Sequence, residues 1–212
     1  MLDEIRNHDH RIRIREERLS PMKVPESGMP EEQDWARFFD VEGAMDAFLA
    51  GERAVKQAVE FGCGYGTFTV ALARRSNGHV TALDIEPEMV AATQGKAVLN
   101  GTTNIHARQR DFITGGTGLA AASQTDALVF NILHLERPLA LLQEVHRVLQ
   151  PGGQISLMHW RTDVPTPRGP PLSIRPTPSQ CEQWLVETGF LHVHPVDLTK
   201  SCPYHYGLIA TR

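Results

Sequence analysis

From residue 58 onward, short apolar runs rich in β-branched residues alternate with longer runs of helical spacing. That alternation restricts the fold more than any other feature of the sequence. AVEF (58–61), HVTALDI (79–85), NIHARQRDF (104–112), DALVFNIL (126–133) and QISLMHW (154–160) read as strands. Between them, TFTVALARR (67–75) has helical spacing, and Asn77-Gly78 is expected to stop it. Pro87 opens a second helix that runs to Asn100-Gly101. Pro138 opens a third, PLALLQEVHRVL, with QPGG (150–153) as its stop. Thr177-Pro178-Ser179-Gln180 reads as a capping box with proline at the first helical position, starting a helix that ends before Gly189. FLHVHPVDL (190–198) and YHYGLIATR (204–212) are the last two strands.

Strands separated by helices call for a parallel sheet with right-handed crossovers. TKSCP, between the last two strands, is too short for such a crossover, so those two should be antiparallel. The expected fold is α/β: a doubly wound, mostly parallel seven-stranded sheet with an antiparallel last strand and helices on both faces. Upstream, EEQDWARFFDVEGAMDAFL (31–49) places Trp35, Phe38, Phe39, Ala44, Met45 and Phe48 at the spacing of one or two amphipathic helices. Residues 1–30 are polar and broken by Pro21, Pro25, Gly28 and Pro30, which suggests an extended arm. Within it, RIRIREERL (11–19) could form an edge strand, though termini more often behave as loosely ordered tails.

The 212 residues favour one domain. The net charge of -4 arises from mixed signs, which argues against broad binding to nucleic acid or an anionic membrane. Cys63, Cys181 and Cys202 are odd in number and lack paired spacing, so they suggest a reducing compartment, not a disulfide framework. No stretch approaches the roughly 18 apolar residues of a membrane span. The N-terminal MLDEIRNHDHRIRIREERL lacks an apolar core, so a cytoplasmic location is expected. His192 and His194 share a strand face without a third ligand nearby, as do His8 and His10 in the arm; no metal site is expected.

The chemistry concentrates in VEFGCGYGTFTV (59–70). In a doubly wound sheet, ligands bind beyond the carboxyl ends of the strands near the switch point, and this loop sits there. Glycines let a ligand approach the main chain closely. The register is Glu60, Gly62, Gly64, Gly66, and Thr67 stands where a dinucleotide fingerprint has glycine. A carboxylate at Glu60 suits a cationic group better than a pyrophosphate. Asp84, ending the second predicted strand, can accept hydrogen bonds from both hydroxyls of a ribose. Ile85 offers an apolar face to a base. Asp111 and Phe112, ending the third predicted strand, offer an acceptor and an aromatic face. The set points to a nucleoside with a positively charged tail and no phosphate.

In VEFGCGYGTFTVALA, VTALDIEPEMV, RDF, DALVFNILH and EVHRVLQPGGQISLMHW, the sequence resembles the class I S-adenosylmethionine-dependent methyltransferases, in order over residues 55 to 212. The resemblance implies that Glu60 and the loop Gly62, Cys63, Gly64, Tyr65, Gly66 hold the methionyl end. It implies that Asp84 takes the ribose and Ile85 flanks the adenine. Asp111 would face the adenine amino group, Phe112 would stack near it, and Asn131 would contact the methionine part. His134 would lie near the sulfonium, and His134 and His159 are the candidate bases. The region of Trp35 to Phe39 resembles a helical cap. The implied division is an arm at 1–30, then one domain at 31–212: cap 31–54, cofactor-binding half 55–160, substrate-side half 161–212.

WRTDVPTPRGPPLSIRPTP (160–178) follows the fifth strand and should lie over the acceptor pocket. Its arginines Arg161, Arg168 and Arg175 could clamp an anion; otherwise they belong to a rigid surface loop. Trp35, Phe39, Trp160, Arg161 and Arg168 are therefore expected on the acceptor side. The expectation is S-adenosylmethionine as cofactor and a small, anionic acceptor, in a monomer or homodimer. Alternatives are a protein or nucleic-acid acceptor, or a non-catalytic binding module; Thr67 and Glu60 disfavour a nicotinamide enzyme.

Overall fold

The computed structural model describes residues 30–51 and 53–212, so the reading of RIRIREERL lies outside the described residues. The elements follow in chain order: α1 (Glu32–Ala36), α2 (Val41–Phe48), β1 (Val55–Phe61), α3 (Thr67–Arg75), β2 (Ser76–Asp84), α4 (Pro87–Leu99), β3 (Ile105–Gln109), β4 (Gln124–Phe130), α5 (Pro138–Val148), β5 (Leu149–Trp160), a single 3-10 turn (Leu172–Ile174), α6 (Pro178–Glu187), β6 (Leu191–Val196) and β7 (His205–Thr211).

The strands form one sheet in the order β3-β2-β1-β4-β5-β7-β6. Pairs from β3 to β5 are parallel, and β7 runs against both β5 and β6. The expected fold class is therefore observed. Chain order reverses between β1 and β4, and that junction is the switch point where such sheets open a crevice.

Alternation along the central strands divides two cores. Val59, Phe61, Ala127, Val129, Ile155 and Leu157 pack with Leu141, Leu142 and Val145 of α5 and Leu185 of α6. Ala58, Leu128, Phe130 and Met158 face the other way, against Met45 and Phe48 of α2 and Phe68 and Leu72 of α3. β4 is buried at every position, as a central parallel strand should be. Among the described residues, no helix is long and apolar enough to cross a membrane.

Two expected stops became strand. Asn77 and Gly78 lie inside β2, which follows α3 directly. A Cβ on Gly78 would sit 1.8 Å from the Lys56 carbonyl oxygen, so this glycine permits the close approach of β1 and β2 and stops no helix. QPGG opens β5 and carries a register shift against β4. The segment at 31–49 forms two helices of unlike character. α1 buries no residue, whereas α2 buries Ala44, Met45 and Phe48. Asp40 caps α2 by accepting from the Gly43 amide at 3.1 Å.

The Phe48 ring lies 5.0 Å from that of Phe130, and α2 is thus part of the core. Phe48→Ala should cost about 3–5 kcal/mol of stability, measured by urea unfolding. A loss below about 1 kcal/mol would show that α2 is not integral to the sheet.

Candidate active site

A cavity of about 540 Å³ opens beyond the carboxyl ends of β1, β2 and β4, within the size range of cofactor sites. Its floor is the turn between β1 and α3. The amides of Gly62 and Cys63 both donate to the Leu83 carbonyl, at 2.8 and 2.9 Å. The Gly64 amide donates to Asp84 Oδ2 at 2.9 Å, and the Glu86 amide to Asp84 Oδ1 at 3.0 Å. One carboxylate thus ties the end of β2 to the glycine turn. A carboxylate offers about four acceptor sites, so these two bonds leave capacity for a ligand.

Gly62 and Gly66 have φ of 76° and 72°, in the left-handed region that favours glycine. Gly62 faces the cavity, where a Cβ would come within 3.1 Å of the Ile132 side chain. A Cβ on Gly66 would meet the Thr93 backbone at 3.0 Å, so that glycine packs α3 against α4 and does not line the cavity. Tyr65 does not line it either, but donates to the carbonyl of Pro30, which does, at 2.8 Å.

Glu60 lines the cavity at 3 % exposure and accepts a hydrogen bond from Thr69. Burial, with the nearby Asp84 charge adding to it, pushes its carboxyl up to about 8. Burial likewise raises Asp84, against the lowering effect of the main-chain donors Glu86, Gly64 and Ile85. The neighbours of Glu60 do not neutralise it, so the site favours a ligand that brings a positive charge. Burial raises the Cys63 thiol well above its ordinary range, and its Sγ is 3.3 Å from Thr93 Oγ1. That is a packing thiol and a poor nucleophile.

Asn131 has φ of 58° and donates its amide to the Met158 carbonyl at 2.7 Å. Its Oδ1 and the Thr67 hydroxyl are buried in the cavity wall without a hydrogen-bond partner among the described residues. Buried polar atoms are ordinarily satisfied, so these two oxygens mark where a polar ligand would complete the site. Together with Glu60, Asp84, Ile85 and Phe112 on the same wall, they fit S-adenosylmethionine in charge and in hydrogen-bonding capacity.

Several expected residues lie elsewhere. Asp111 does not line the cavity. Its carboxylate accepts from the amides of Ile113 and Thr114 and from the Thr114 hydroxyl at 2.7 Å, because β3 ends at Gln109 and Asp111 caps the turn that follows. Phe39 packs 5.2 Å from Phe68 and 4.9 Å from His205, behind the wall. Arg161 is turned to Asp163, with Nη2 to Oδ2 at 2.6 Å. Arg175 donates within its own loop to the carbonyls of Pro170, Arg161 and Arg168 and to Thr166 Oγ1. Arg168, Trp35 and Trp160 do line the cavity.

His134 also lines it, and its Nδ1 is 3.2 Å from Nε2 of His159, which is wholly buried outside the lining. His205, unremarked in the sequence, packs behind the wall with its ring 4.1 Å from that of Trp160 at 40°; burial, then Arg175, pushes it down to about 3, so it is neutral. Thr67 was legible only as a departure from the dinucleotide pattern. Phe68, Met89, Phe130 and Pro170 gave no signal beyond apolar periodicity.

Residues 58–153 match the family model described as "Methyltransferase domain". A ribosomal protein L11 methyltransferase of Dechloromonas aromatica is 34% identical over 110 residues, 50% of this chain and 34% of that protein. One from Alkalilimnicola ehrlichii is 34% identical over 105 residues, 50% of this chain and 33% of that protein. The aligned part is thus about a third of the length of each of these relatives. Among solved structures, a SAM-dependent methyltransferase from Aquifex aeolicus has a TM-score of 0.69 at 22% identity, covering 82% of this chain and 89% of that one. One from Mesorhizobium loti has 0.63 at 19%, covering 81% and 100%. The cyclase SpnF has 0.62 at 16%, covering 81% and 78%. At these identities the likeness shows the fold, and reaction must be argued from the site.

The Glu60 assignment has a thermodynamic signature. Between pH 4.5, its ordinary value, and about 8, the folded state holds a proton that the unfolded state has lost. Stability contributed by that proton is full below the lower value and is lost as pH rises through the upper. Glu60→Gln should flatten this decline and raise the melting temperature of the ligand-free protein above pH 8. An unchanged pH profile of melting would mean that Glu60 is not the buried titrating group.

Proposed function

We propose that this chain, which carries a class I S-adenosylmethionine-dependent methyltransferase domain, transfers a methyl group to a small acceptor bearing an anionic group. One observation carries the reading: a buried, uncompensated carboxyl at Glu60 stands across the glycine turn from a strand-end carboxylate at Asp84. A nucleoside with a cationic tail satisfies both, and a pyrophosphate satisfies neither.

Glu60 with Gly62, Cys63 and Gly64 would hold the methionyl end, and Asn131 Oδ1 and Thr67 Oγ1 would gain their missing partners there. Asp84 would take the ribose hydroxyls, with Ile85 and Phe112 flanking the base. When bound, S-adenosylmethionine supplies an activated methyl group on sulfur. The chain's own part is alignment and exclusion of water, and orientation of this kind is worth up to about 7–11 kcal/mol. Trp35 and the segment Pro167–Pro170 wall the outer cavity. Arg168 supports the anionic acceptor, because Arg161 and Arg175 are committed to Asp163 and to the loop itself. In this division only α1 and the turn after it act as a cap, residues 55–160 carry the cofactor half, and 161–212 the acceptor half.

A second reading is favoured by the names of the curated relatives, a protein acceptor such as a ribosomal protein. The presence of Trp35 and the proline-rich segment in the cavity lining supports the small acceptor over it.

Calorimetric titration with S-adenosylhomocysteine, with NAD in parallel, tests the cofactor. Saturable binding of the first alone is expected, and binding of NAD alone would overturn the reading. Asp84→Asn should weaken S-adenosylhomocysteine by about 10–100-fold, the loss of about 1.5–3 kcal/mol from charged hydrogen bonds, with the fold intact by circular dichroism. Unaltered affinity in that variant would remove Asp84 from the ribose.

A further inference from the structure

We infer that Arg175 is the positioning residue of the acceptor pocket: it fixes the turn 166–170 so that Arg168 meets an oxyanion, a carboxylate or a phosphate ester, on the acceptor. The inference rests on the methyltransferase reading and adds to its acceptor site a residue that acts through another.

Arg175 is half-buried and reaches every part of that turn. Its Nε donates to the Pro170 carbonyl at 2.5 Å, and its Nη2 to the Arg168 carbonyl at 3.1 Å. Nη1 donates to Thr166 Oγ1 at 2.7 Å and to the carbonyl of Arg161, the residue after β5, at 3.0 Å. The Thr166 hydroxyl itself donates to the Arg168 carbonyl at 2.7 Å, so that carbonyl is held twice. The guanidinium also lies 5.9 Å over the Trp160 ring. Gly169, at φ 109°, completes the clamp. A Cβ there would come within 2.9 Å of both the Trp160 ring and Arg175 Nη2. The turn is thus gripped between an indole and a planar fork. A lysine, with its donors gathered on one nitrogen, cannot span four such acceptors.

The clamp presents residue 168 to the cavity. Pro167, Arg168, Gly169 and Pro170 all line it. The exposed Arg168 guanidinium has no hydrogen bond or ion pair among the described residues, whereas Arg161 is paired with Asp163. The partners of Arg175 are three carbonyls and a hydroxyl, none of them a carboxylate, so they do not cancel its charge. The two ends of the cavity therefore differ in sign. Glu60 and Asp84 lie at its floor, and Arg168 lies on the outer lining with Arg175 behind it. A guanidinium matches the paired oxygens of a carboxylate or phosphate, and a neutral acceptor would use neither arginine. The Trp35 ring on the same lining suits a flat apolar body, so aryl probes are appropriate.

The probes are benzoate, phenyl phosphate and neutral benzamide, titrated calorimetrically into protein saturated with S-adenosylhomocysteine. At least one oxyanion should bind about tenfold or more tighter than benzamide, and the tighter of the two identifies the acceptor's group. Arg168→Gln should weaken that oxyanion by about 10–100-fold, the span of charged hydrogen bonds, and leave benzamide unchanged. Arg175→Lys, which keeps the charge, should weaken it by a similar factor. Combined with Arg168→Gln it should cost nothing more, the non-additivity of a residue that acts through another. Gly169→Ala, which parts the turn from Trp160, should show the same oxyanion-selective loss and replaces Arg175→Lys if that variant does not fold. Failure of all three probes to bind, or equal binding of benzamide and both oxyanions, would overturn the oxyanion site. Undiminished oxyanion binding in folded Arg175→Lys or in Gly169→Ala, or losses that add to that of Arg168→Gln, would overturn the role of Arg175. Titration with S-adenosylhomocysteine alone separates the two levels. Failure there in the unaltered protein would remove the methyltransferase reading and this inference with it, whereas normal binding without preference for an oxyanion would remove this inference alone.

Discussion

The main-chain amide of Gly64 on the Asp84 carboxylate is the interaction on which the site depends. It joins the turn after β1 to the end of β2, and the neighbouring amides of Gly62 and Cys63 converge on the carbonyl just before that aspartate. With these bonds made, α3 must start at Thr67, and its first turn brings Thr67 and Phe68 to the cavity wall. The left-handed backbone at Gly62 and Gly66 is the condition for this geometry, since a side chain at Gly66 would push α3 from α4. The price of the arrangement is a second carboxyl, Glu60, sealed beneath the turn and driven toward its neutral form. Strain of this electrostatic kind is what a cationic ligand relieves, so the ligand-free site is already biased toward one charge type.

Much of this was legible because local and global signals agree. Thr67–Arg75, Pro87–Leu99 and Pro178–Glu187 fall where periodicity, proline and the capping box put them. The short link before β7 sufficed to give its direction. The failures share a cause. Gly78 and the Gly152-Gly153 pair were read by their local habit of ending helices, whereas tertiary contact uses them in strands. Asp111 was read by its type, yet β3 stops two residues short and leaves it to cap a turn. The inner position of His159 relative to His134 could not be read at all, because it depends on where the Asn131 turn sends the chain after β4.

The outer wall is built by a different principle. The segment after β5 has almost no regular structure, and its shape is imposed by one half-buried cation. Arg175 fastens four acceptors of its own loop and lies 5.9 Å over the Trp160 ring. It thereby leaves Arg168 as the arginine of that stretch on the cavity wall. The facing side is lighter. α1 is held by Lys96 to Glu32 and by Tyr65 to the Pro30 carbonyl, while α2 belongs to the core. One wall is thus fixed through a guanidinium, and the other by two polar links and by the Trp35 ring, which lies 4.9 Å from Phe39 and 6.4 Å from Trp160.

The place of β7 has a consequence for the order in which the chain is made. β6 precedes it in sequence, yet among the described residues β6 pairs only with β7, and β7 alone connects β6 to β5. On the ribosome, β1 to β5 can assemble as each emerges, but β6 must wait at an open edge until residues 205–211 leave the exit tunnel. Until then β5, with its buried Leu157 and Met158, is an unpaired apolar margin. The nascent chain is therefore most exposed to off-pathway pairing in the interval between completing Trp160 and releasing Thr211.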